Sequence, residues 1–459
     1  MKIKQAVLDF WNTHITTMLL IVMLFGFIGS SAYFALNLKR AIIPDEPAHF
    51  IISEQFSTTW GIPPVVPANM SLEFINHQPF LFYWINGRIL DILKWVFPAI
   101  NDWQKLVSLR LISVFYSLIS IIFCYLLAKE IIKNRWWQLL VVFLLINTLM
   151  FVFISGGVSY DNLTNLCSFA SIYFLIRIFN SRSFYFNSLG WLICICIGTL
   201  VKKTELPLAA ITGLVWILYV VKHRRQLNFW PSWNWKLVGL ITISIALVSL
   251  NLSIWGVNIV KYKHLIPECK QILTEAQCNL SPFVVRAQQL YLPIKLSYID
   301  IIHGKGPDPV QYVLDYWTNS MIWRVFGIMG HKNYIPPALI LTFYRLLLIW
   351  IILITIRYWK KPSFTIGSLF AIMVFYTIVL LGTNYNNELV TGFKHVAIQG
   401  RYIFPVVGII YALMVYYFAS IGNTILRRLT VGSTLLLFLI GCPVLFLTHY
   451  SSVFTSWFH

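Results

Sequence analysis

Two adjacent carboxylates stand just past the first apolar run of the chain, in Pro44-Asp45-Glu46-Pro47-Ala48-His49-Phe50. Pro47 suits the first turn of a helix, and an acid ahead of it suits the N-cap. The pair then sits at the positive end of a short helix, with His49 one turn on from Asp45. A carboxylate there can accept a proton from a hydroxyl or help to hold a metal. The plainer alternative is an ordinary N-cap beside a surface histidine. His77-Gln78-Pro79, further along, can hydrogen-bond a ligand or simply turn the chain into a helix.

Basic residues supply the opposite charge. Lys202 and Lys203 interrupt two short apolar runs and can bind a phosphate as compact cations; the alternative is snorkelling to lipid headgroups. Arg401, in Gln399-Gly400-Arg401-Tyr402-Ile403-Phe404-Pro405, can fork onto the same phosphate or onto a headgroup. Ser159-Tyr160-Asp161-Asn162 reads as a helix cap. Cys269 and Cys278 are the cysteines outside apolar runs, and a disulfide between them is expected. Cys124, Cys167, Cys194, Cys196 and Cys442 read as small buried residues. Asp315-Tyr316-Trp317-Thr318-Asn319 and Trp323 offer a stacking surface, or fold their segment onto a membrane. No Walker motif, glycine-rich dinucleotide fingerprint or H-E-x-x-H occurs, which argues against a nucleotide-driven pump and a soluble nucleotide-sugar enzyme.

The elements that must position these residues are membrane helices. The 459 residues are 58% hydrophobic and only 11% charged, about half the charge of a soluble domain. A span needs roughly 20 apolar residues. On that basis the sequence predicts about eleven spans, near 15–36, 110–131, 137–154, 163–179, 188–201, 206–221, 237–257, 336–356, 364–382, 403–421 and 430–448. The net charge of +19 falls in short clusters between spans, so it reads as cytoplasmic loops rather than nucleic-acid binding. Lys2 and Lys4, Lys133 and Arg135, Arg177 and Arg182, Lys222 to Arg225, Arg357 to Lys361, and Arg427 and Arg428 all share one side if the N-terminus is cytoplasmic. The C-terminus is then outside.

Two outer loops follow, 37–109 and 258–335, as elaborations of a single membrane domain. Within the first, residues 79–96 place Arg88, Asp91 and Lys94 on one helical side. Reading this segment as a span would invert every later basic loop, so an interfacial amphipathic helix is expected. The Lys202-Lys203-Thr204-Glu205 connection lies outside or within the outer leaflet, where ionisable groups are costly unless a cavity or ligand receives them.

Taken together, these residues resemble the GT-C superfamily of integral membrane glycosyltransferases, which includes protein O-mannosyltransferases and lipid A aminoarabinose transferases. The resemblance rests on Asp45-Glu46 after the first span, the surface helix, Arg110-Leu111-Ile112-Ser113 opening the second span, the Lys202-Lys203 elbow and Gly400-Arg401-Tyr402. The DEPAHF wording is similar to a bacterial branch of the superfamily. The resemblance implies an all-α polytopic fold, a polyprenyl-phosphate-linked sugar donor and a catalytic acid at Asp45 or Glu46. It implies donor contacts from Lys202, Lys203 and Arg401, with His49 and His77 as further substrate-binding candidates. Metal dependence varies within the superfamily, so a divalent cation is left open. The expected activity is inverting transfer of a sugar to a cell-envelope glycan or glycolipid acceptor, outside a bacterial plasma membrane. The rivals are a flippase for a lipid-linked glycan, which should show pseudo-repeats, and a glycan polymerase or ligase, whose essential residues would lie in 258–335.

Overall fold

Residues 2–65, 75–180, 183–226, 234–290, 296–359, 362–393, 397–450 and 454–459 are described in the computed structural model, with side-chain surroundings from residue 14 onward except at 283 and 450. Arg182, Lys360 and Lys361 of the basic clusters lie outside the described residues, as do the side chains of Lys2 and Lys4.

The chain is an all-α polytopic bundle. Helix α1 (Lys2–Asn37) leads to α2 (Glu46–Phe56) and α3 (Leu81–Val96) in the first loop. Helices α4 (Asp102–Ile131), α5 (Arg135–Ile146), α6 (Leu149–Ser155), α7 (Tyr160–Phe179), α8 (Phe184–Val201), α9 (Leu206–His223) and α10 (Trp235–Asn251) follow. Short helices α11 (Cys269–Ile272), α12 (Glu275–Cys278), α13 (Pro282–Leu290), α14 (Tyr298–Ile302) and α15 (Pro309–Gln311) build much of the second loop. Helix α16 (Thr318–Phe326) and a small hairpin, β1 (Ile328–Met329) with β2 (Asn333–Tyr334), complete it. Helices α17 (Ala338–Arg357), α18 (Phe364–Thr391), α19 (Phe404–Ala419), α20 (Thr424–Ile440) and α21 (Pro443–Leu445) end the chain.

Among the described residues, ten helices are long and apolar enough to cross a membrane, or eleven if α5 and α6 count as one broken span. The span expected at 137–154 is this broken one: its two pieces meet at 67°. The bend falls at two polar residues whose side chains bond back to the preceding turn, Asn147 to the Phe143 carbonyl and Thr148 to the Leu144 carbonyl. Tyr411 of α19 also meets the Thr148 hydroxyl at 2.6 Å. Such side-chain bonding competes with the regular ladder and lets a helix break at depth without orphaned groups.

Caps set the other helix starts. Asn101 and Gln104 form a reciprocal capping box at α4, and Ser159 caps α7 by accepting the Asp161 N–H. Helix α7 and the span carrying α19 form the core of the bundle: 78% of each apolar window is buried, against 17% for α10 and α17 at its edge. The core pair holds its ends at one level, and there Asp161 and Arg401 meet. In the second loop, Cys269 and Cys278 form a disulfide with Cα atoms 5.8 Å apart.

Candidate active site

Asp45 and Glu46 are neighbours in sequence with unlike surroundings. The Glu46 side chain is 1% exposed, and Arg110 grips it through both oxygens at 2.8 and 2.6 Å. The Val158 N–H adds a third bond at 3.0 Å. Arg110 also donates to the carbonyls of Ala35 and Leu38 at the end of α1. Glu46 therefore ties α1, α2, α4 and the turn before α7 together. It does not line the cavity described below, which weighs against it as a reacting group.

Asp45 precedes α2 in the left-handed region, at φ 60°. That conformation costs a residue with a Cβ about 1–2 kcal/mol, and Asp tolerates it better than most. Its side chain makes no capping bond, contrary to the N-cap expectation. It turns instead to Arg401, whose Nη2 donates to Oδ2 at 2.7 Å. Burial pushes the Asp45 carboxyl up, but the Arg401 guanidinium, with help from His49 and His331, holds it below the usual carboxylate range.

Arg401 is buried and reaches back to Asp161, Nη1 to Oδ2 at 3.5 Å. Asp161 is also ion-paired with Lys202. The Lys202 ammonium lies 4.5 Å from the Tyr160 ring centre and 4.4 Å from that of Tyr402, within cation–π range. Charges thus alternate along Asp45, Arg401, Asp161 and Lys202. Each buried ion faces a counter-ion, which is the condition for keeping ions out of water.

A cavity of about 800 Å³ opens beside this chain of charges. Asp45, Lys202, Lys203, Tyr83, Tyr160 and Tyr402 line its polar end. Leu206, Pro207 and Ala210 of α9 face Phe375, Val379 and Leu380 of α18 along its apolar flank. Thr383, Asn384 and Asn387 stand further along α18, and Gln78 and Pro79 come from the first loop.

The sequence candidates divide accordingly. Asp45, Lys202 and Lys203 meet in the cavity; Arg401 stands behind Asp45 and does not line it. The expectation that Arg401 forks onto a phosphate thus gives way to a bridge between two carboxylates. His49 is wholly buried, with Nδ1 3.0 Å from the Tyr83 hydroxyl and its ring 4.4 Å from that of Tyr160. Burial brings it down to about 4, so it is neutral at ordinary pH, despite the opposing pull of Asp45. His77 lies off the cavity, with its ring against Tyr262 at 5.4 Å and its carbonyl accepting from Asn258; burial and then Lys261 lower its pKa. Asp161 was missed because it reads as a cap. Its signal was its level, an acid at the end of a span beside Lys202 and Arg401. No group of three or more His, Cys, Asp or Glu gathers into a cation site among the described residues. Asp45 and Asp161 already hold cationic side chains, so these two described carboxylates do not fit a divalent cation.

Residues 77–254 match the sequence profile of the dolichyl-phosphate-mannose-protein mannosyltransferase family. No curated protein sequence matches the chain. Among solved structures, ArnT from Cupriavidus metallidurans in the apo state aligns over 88% of this chain and 60% of its own, at 13% identity and TM-score 0.46. The archaeal oligosaccharyltransferase AglB from Archaeoglobus fulgidus, in complex with an inhibitory peptide and a dolichol-phosphate, aligns over 95% and 55%, at 12% identity and TM-score 0.47. Arabinosyltransferase EmbB from Mycobacterium smegmatis aligns over 88% and 30%, at 10% identity and TM-score 0.45. The chain thus spans 60% or less of the length of each. The profile match covers α3 to α10 and includes the Lys202-Lys203 elbow.

Proposed function

We propose that this protein transfers a sugar from a polyprenyl-phosphate-linked donor to a cell-envelope glycan or glycolipid acceptor, on the outer face of a bacterial plasma membrane. One observation carries the reading: a single cavity joins a carboxylate, two lysines and an apolar flank between two membrane helices. The isoprenoid chain lies along α9 and α18, and its phosphate meets Lys203 and Lys202. The sugar then points toward Asp45. Asp45 takes the acceptor hydroxyl proton as that oxygen bonds to the anomeric carbon, and the bond to the phosphate breaks on the opposite face. The electron pair leaves with the polyprenyl phosphate, whose growing charge the lysines stabilise. The configuration inverts. Arg401 keeps Asp45 ionised, and Asp161 keeps Arg401 and Lys202 in place.

The orientation follows from the basic clusters, with the N-terminus cytoplasmic and both large loops outside. Cysteines placed at Ala99 and Lys305, both exposed, should react with an impermeant reagent in intact cells, and one at Arg224 only after lysis. Purified protein in liposomes should transfer radiolabelled sugar from a polyprenyl phosphate to added envelope glycolipid. Movement of intact lipid-linked glycan across the bilayer without transfer would favour a flippase instead.

A further inference from the structure

Neither partner of the Asp45–Arg401 pair stands inside a long helix. Asp45 ends an irregular stretch that includes Ala41 in the left-handed region, and Arg401 follows one that includes Ala397 in the same region. One piece of the second outer loop touches both stretches. At the end of α16, Arg324 is buried and its guanidinium donates to the Ile398 carbonyl. Gly400, next to Arg401, packs so closely on the Arg324 backbone that an added Cβ would overlap its carbonyl. Six residues after Arg324, Gly330 at the hairpin tip rests on the other stretch. A Cβ there would fall 2.6 Å from the Ile42 carbonyl oxygen and 3.4 Å from the Pro44 ring. The Met329 N–H on the Met150 sulfur, at 3.5 Å, ties the hairpin to α6.

We propose that residues 324–330 are a brace that sets the Asp45–Arg401 ion pair, with Arg324 as a positioning residue for the base. The inference rests on the reading of Asp45 as that base. The brace sits far from Asp45 in sequence, and Arg324 bonds the carbonyl of Ile398, which does not line the cavity, so its loss should act on the base and spare donor binding. A side chain set back by an ångström costs a reaction heavily, and a loosened Arg401 no longer holds the Asp45 proton off. The groups facing Asp45 are Arg401, His49 on α2 and His331 at the hairpin tip; Asp161 and Lys202 stand behind Arg401.

The test is the pH profile of transfer by full-length protein in liposomes, for Arg324→Gln, Arg324→Lys and His331→Gln. Arg324→Gln should lower kcat about tenfold with donor KM within about twofold, and should move the acid limb up by about one pH unit. Arg324→Lys, which keeps a donor for the Ile398 carbonyl, should recover most of both. His331→Gln should move the limb less than Arg324→Gln does. If Arg324→Gln does not fold, Gly330→Ala is read in its place, with the same upward shift expected. An unmoved limb in the folded variants overturns the brace, and so does an equal shift from His331→Gln. Wild-type transfer by Asp45→Asn would instead remove the reading of Asp45 as the base.

Discussion

Two ion-pair clusters lie side by side at one end of the bundle, one built on Glu46 and the other on Asp45. Around Glu46 the bonds are short, the carboxylate is covered, and the partners belong to α1, α4 and the turn before α7. Around Asp45 the side chain is 24% exposed, its backbone is left-handed, and its partner chain of charges borders a cavity. Two carboxylates, one position apart, differ: Glu46 serves as a tie, and Asp45 borders the cavity. The difference comes from access and backbone conformation, neither of which a count of acids can reveal.

The sharpest way to break the comparison is to neutralise each acid in turn. Asp45→Asn keeps the left-handed backbone, since Asn also tolerates it. Transfer should fall by about 10²–10⁴ while the unfolding temperature holds. Glu46→Gln should do the reverse, with lower stability and transfer retained per folded molecule. Equal losses of transfer at unchanged stability in both variants would erase the division.

Removing the cation from the Glu46 tie should cost more stability than any change at the cavity. Arg110→Leu strands a buried carboxylate, at about 3–5 kcal/mol. Folded yield after heating, read by size exclusion in detergent, measures it. A variant as stable as wild type would show that the tie carries nothing.

His49 tests the boundary between the two clusters. Folded, it takes a proton only near pH 4; unfolded, at about 6.5. As pH falls the unfolded chain binds this proton first. The folded state is therefore favoured fully above about pH 6.5 and loses about 3 kcal/mol by pH 4. His49→Gln should flatten this part of the stability profile between pH 7 and 4.5. A slope as steep in the variant would assign the effect to other groups.

The smallest effect is expected at Lys203. Both lysines line the cavity, but Lys202 is also buried against Asp161. Lys203→Ala should raise donor KM about tenfold, or about 1.4 kcal/mol, with kcat and stability near wild type. Lys202→Ala should lower stability as well. Identical behaviour of the two lysines would blur the line between holding the site and holding the donor.

The membrane helices were legible because a span must be long and apolar, and few sequences satisfy that by chance. The break within 137–154 was hidden because Asn147 and Thr148 look like two tolerated polar residues in an apolar run; what bends the helix is the bonding of both to preceding carbonyls and of Thr148 to Tyr411. The acids at 45 and 46 were visible as a pair, but their separate partners, Arg401 and Arg110, are set by tertiary packing. Asp161 sat in plain view as a helix start. Its second role needs Lys202 and Arg401 beside it, and proximity between distant segments leaves no local pattern.

That distance has a consequence for how the protein is made. Arg401 lies 356 residues beyond Asp45 along the chain. At about 5–20 residues per second, synthesis separates the two by about 20–70 s. During that interval Asp45 waits at the membrane surface without its cation, while α4 has already delivered Arg110 to Glu46. The tie therefore forms early and the reaction space late. A nascent chain holds its shape around Glu46 first, and Asp45 meets Arg401 only when one of the last helices inserts.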